Sequence, residues 1–111
     1  MTDLVQRLSN GEHPLEISLR PERTLKALEE RFSAGFVHVR FTSTRGGTEL
    51  GIPIDRSRSD ASRADFSAGT GTLRIVGDLT LDYEKVRCTA DIDLSSLSGT
   101  GHLTPLSDTS A

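Results

Sequence analysis

Between Leu73 and Leu94 an apolar stripe on odd positions (Leu73, Ile75, Leu79, Leu81) gives way to one on even positions (Val86, Cys88, Ala90, Ile92, Leu94). A period of two that changes phase across Asp82–Lys85 is what two antiparallel strands require if both bury one face after the chain reverses. Glu84-Lys85 lacks the Gly or Asn of a primed two-residue turn, so a four-residue Asp82–Lys85 loop is expected. That loop sets Leu81 against Val86, Gly77 against Ala90 and Arg74 against Asp93. The small pair Gly77 and Ala90 marks a place where the sheet bends or a helix approaches.

The same alternation recurs at Leu15, Ile17 and Leu19, at Val37, Val39 and Phe41, and at Leu50, Ile52 and Ile54. Gly46-Gly47 supplies a tight turn that puts Phe41 opposite Ile52 and Val39 opposite Ile54. Pro53 lacks a ladder donor and places the strand around it at an edge or a bulge. Gly101–Leu106 reads as a short last strand after a Ser95–Gly99 turn.

Two helices interrupt this pattern. Leu4, Val5 and Leu8 share one helical face within Thr2–Ser9, ended by Asn10-Gly11. Pro21 suits a first helical position and Gly35 a position just past the end. Between them Leu25, Leu28 and Phe32 form the stripe of the main helix. The predicted fold is α+β: one main helix packed on a mainly antiparallel five- or six-stranded sheet or partly closed barrel. Residues 1–111 are read as one domain, with 107–111 a loose tail.

Composition narrows the classes of function. The net charge of -3 argues against nucleic-acid binding, which needs a basic footprint. The charge is uneven: Arg56–Arg74 carries four Arg against two Asp, whereas Ile75–Ala111 carries six acids against two bases. A single cysteine forms no internal disulfide, and no apolar run resembles a signal peptide or approaches the ~20 residues of a membrane span. A cytoplasmic setting away from membranes is therefore expected.

The connection from Asp55 to Gly71 is far longer than the usual ~4–6 residues, and such loops are generally functional or disordered. Its Arg56, Arg58 and Arg63, interleaved with Ser57, Ser59 and Ser62, suit an oxyanion, with His38 as a neighbouring polar group. Asp55, Asp60 and Asp65 break up that field. Gly69-Thr70-Gly71 and Gly99-Thr100-Gly101 are turn glycines rather than a nucleotide cradle.

Asp78, Asp82, Asp91 and Asp93 fall on the outward face of the Leu73–Leu94 hairpin, with Tyr83 at its tip as a contact anchor. These acids are spread along the ribbon among Arg74, Lys85 and Arg87, which fits a partner-facing surface better than a metal site. His13, His38 and His102 lack ligand spacing, and no nucleophile–base set is complete, so no metal, cofactor or catalytic residue is assigned. Cys88 lies on the inward stripe as a structural thiol.

These residues describe a non-enzymatic accessory or adaptor module that binds another protein through its acidic hairpin and arginine-bearing loop. The alternative is a binder of a small anionic molecule, or an enzyme, with the 55–71 loop as its lid and Arg56 or Arg58 near His38. Self-association through a Leu50–Asp55 edge is a third reading.

Overall fold

The computed structural model describes residues 3–19, 24–44, 46–81 and 83–106. The order of elements is α1 (Asp3–Ser9), β1 (His13–Ser18), α2 (Leu25–Ala34), β2 (Phe36–Phe41), β3 (Thr48–Pro53), β4 (Ala64–Asp65), β5 (Thr70–Leu81), β6 (Glu84–Asp93) and β7 (Ser98–Pro105). All strand pairs are antiparallel, and the sheet runs β3-β2-β1-β7-β6-β5-β4.

This corrects the expected fold class. Among the described residues the structure is mostly β, with seven strands and two short helices of 7 and 10 residues, rather than one main helix on a five- or six-stranded sheet. The extra strand is β4, inside the long connection read as a loop. The described part of α2 starts just after Thr24, whose hydroxyl accepts the Ala27 N–H at 3.1 Å. Pro21 lies outside the described residues. At the other end Gly35 adopts φ 88, the left-handed conformation that glycine enters without strain, and its N–H reaches the Arg31 and Phe32 carbonyls.

The apolar strand faces cover one another instead of waiting for a helix. The sheet curls until the exit of β3 meets β5, where the Asp55 N–H donates to the Val76 carbonyl at 2.8 Å. Leu15, Ile17, Val37, Val39, Phe41, Ile52, Leu73, Ile75, Ile92 and Leu103 then share one buried cluster. From α2 only Leu28 is fully buried, and from α1 Val5 and Leu8. The two helices close the margins of a strand-built core.

Both hairpin registers differ from expectation. Leu81 pairs with Glu84 across a two-residue connection, so Gly77 faces Cys88, Ile75 faces Ala90 and Arg74 faces Asp91. In the first hairpin Phe41 pairs with Thr48 and Val39 with Leu50, leaving a longer turn in which the Gly47 N–H donates to the Thr44 carbonyl. Each shift is an even number of residues, so every side chain keeps its predicted face.

Candidate functional site

The 55–71 connection is sewn along the free side of β5 rather than arched over the sheet. Asp60 and Arg74 exchange backbone bonds of 2.9 and 3.0 Å, the Ser59 hydroxyl accepts from the Val76 N–H, and the Thr72 N–H donates to the Arg63 carbonyl. Asx turns stiffen the segment: Asp55 Oδ1 takes the Ser57 N–H and hydroxyl, and Asp60 Oδ1 takes the Ser62 N–H. Hydrogen bonds from these serines are the main reason both carboxyls titrate below the usual aspartate range.

The arginines of this segment do not converge with His38. Arg56 donates to the Phe32 and Ser33 carbonyls at the end of α2 and lies over the Phe32 ring. That contact complements the negative end of the helix dipole. Arg58 pairs with Asp55 at 3.2 Å. His38 sits edge-on to Phe36 in a shallow pocket with Ser18, Arg31 and Glu49, which neither of those arginines lines. Arg63 instead joins Asp60, Thr72, Arg74 and Asp91 around a cleft of about 370 Å³. Asp60, Thr72 and Arg74 reach that site through the Asp60–Arg74 bridge, a long-range contact with no local signature in the sequence.

The outward acids of the hairpin are engaged. Arg87 grips Asp78 through two bonds of 2.8 and 3.2 Å, and Arg74 grips Asp91 through two of 2.8 and 3.0 Å. These fork-to-carboxylate bonds hold Asp78 ionised to lower pH than usual and raise both arginines. Asp93 accepts the Ser95 N–H and hydroxyl and thereby pins the turn into β7. Asp82 lies outside the described residues. The face thus presents a ladder of ion pairs instead of an open acidic strip.

Tyr83 is different. It is 100% exposed and stands at φ 67 in the two-residue connection between Leu81 and Glu84. A left-handed conformation costs a residue with a Cβ roughly 1–2 kcal/mol.

Cys88 is fully buried between Gly77 and Leu103, and burial pushes its thiol up to about 12. The raised value lies above 9.0, so this group's contribution to stability is complete below pH 9 and is lost as pH climbs from there toward 12. The native chain is expected to release no thionitrobenzoate from Ellman's reagent at neutral pH, and to react fully once unfolded in guanidinium chloride. Rapid labelling of the folded protein would contradict this placement.

Among the described residues no group of three or more His, Cys, Asp or Glu could hold a metal ion, and no helix is long and apolar enough to cross a membrane. No protein-family model matches the chain, and no curated protein matches it.

Proposed function

We propose that this chain is a non-catalytic module that binds another protein through the tip of its β5–β6 hairpin, with Tyr83 as the anchor. The observation that carries this reading is the state of Tyr83: an aromatic ring wholly in solvent, on a backbone that bears left-handed strain. Backbone strain of this kind clusters at binding and switch regions, and tyrosine is among the side chains that most often dominate an interface. Beneath it the Asp78–Arg87 pair forms a polar, pre-organised rim that loses little freedom on binding. A reducing cytoplasm fits a chain whose one thiol is buried and unpaired.

A photo-crosslinking phenylalanine analogue placed at Tyr83 in the native host should yield one dominant adduct. The same analogue at Thr100, exposed on the sheet away from the tip, should yield none. Tyr83→Gly gives the connection an Asp-Gly pair, so that variant should be as stable as the wild type or more so, by up to about 1 kcal/mol. Its affinity for the captured partner should fall by about 2 kcal/mol or more. Failure of the Tyr83 analogue to capture a protein, or full binding by the glycine variant, would overturn the proposal.

A further inference from the structure

Arg40, Arg56, Arg58, Arg74 and Arg87 each grip a carboxylate or a backbone carbonyl. Among the described residues the Arg63 guanidinium grips neither, although Arg63 lines the cleft of about 370 Å³. That volume lies within the range of small-molecule sites, roughly 300–1,000 Å³. The surroundings are fixed in advance. The reciprocal Asp60–Arg74 backbone bonds and the Thr72-to-Arg63 bond hold the walls, and Asp91 immobilises the Arg74 fork.

The charges select the ligand. Two guanidinium groups and two carboxylates line one small space, and Arg74 is already matched to Asp91. What is left to a ligand is the Arg63 guanidinium, the Thr72 hydroxyl and the spare lone pairs of Asp60, whose Oδ1 accepts from Ser62. A simple anion drawn to Arg63 is repelled by Asp60, and a simple cation drawn to Asp60 is repelled by Arg63. A molecule that carries both charges at its two ends gains from both.

We infer that this cleft binds a small zwitterion of the amino-acid or short-peptide type, with its carboxylate on Arg63 and Thr72 and its ammonium on Asp60. The site is independent of the hairpin tip. The ionised state of Asp60, maintained chiefly by its Ser62 hydrogen bonds, keeps the negative end charged throughout the neutral range.

The test is a titration of the ¹⁵N-labelled full chain with glycylglycine, and separately with acetate and with methylammonium at matched ionic strength. Glycylglycine should give saturable shifts centred on Arg63, Thr72 and Arg74, with acetate and methylammonium weaker by about tenfold or more. Arg63→Ala should abolish the response, and Asp60→Asn should let acetate bind as well as glycylglycine does. Shifts that never saturate, a glycylglycine response no stronger than that of acetate, or an unchanged response in Arg63→Ala would overturn the assignment. If Arg63→Ala loses its folded spectrum, Arg63→Gln and Thr72→Val carry the same comparison. Undiminished binding in both would be equally fatal to it.

Discussion

Gly77→Val is expected to remove a large part of the stability of this fold. A Cβ at position 77 runs into the Pro53 carbonyl oxygen and comes within 2.5 Å of Ile52 Cγ2. Neither can retreat easily. The backbone just beyond Pro53 is held by the Ile54-to-Gly35 and Asp55-to-Val76 hydrogen bonds, each 2.8 Å, and Ile52 is fully buried. Forcing bulk into a packed site costs typically 1–3 kcal/mol, and more where backbone has to move. We therefore expect about 3 kcal/mol for Gly77→Ala and more than about 4 for Gly77→Val, against a total of roughly 5–15 for a domain of this size. Urea unfolding at neutral pH measures both. A loss below about 1 kcal/mol for the valine variant would mean that β3 does not close onto β5 as described.

Phe41→Ala should cost about 3–5 kcal/mol, the range for removing a buried ring whose cavity cannot collapse. Phe41 is the largest fully buried side chain, on a strand hydrogen-bonded on both sides, where it stands opposite Leu15 and Thr48. Two-sided pairing limits how far the backbone can relax into the void. Phe41→Leu keeps most of the volume and should cost less than about 1.5 kcal/mol. Equal losses for the two variants in chemical denaturation would place the ring outside the centre of the core.

These two residues also mark the boundary of what the amino-acid pattern makes readable. Parity along each strand assigns Phe41, Ile75 and Ile92 to the interior, because that assignment depends only on which neighbours alternate. Register depends on turn chemistry, and there the pattern misleads. A residue without a permissive backbone, Tyr83, nevertheless adopts φ 67, which shortens the second connection and slides the strands by two residues. Gly77 is legible as a point of close approach, yet its neighbour is β3 and not Ala90 or a helix, since no local signal encodes a contact that forms only when the sheet curls. The cleft was hidden for the same reason. Thr72 and Arg74 can be placed on the outward face of β5 by counting, but their meeting with Asp60 and Arg63 depends on where a long connection is laid down.

That connection has a practical consequence for anyone trimming the chain. By occupying the backbone groups of Thr72, Arg74 and Val76, residues 55–65 deny a foreign strand a foothold there. Excising them as a dispensable loop would bare a row of hungry amides on the longest strand of the molecule. The shortened protein would tend to precipitate as stacked ribbons, a loss of solubility that could be mistaken for a failure to fold.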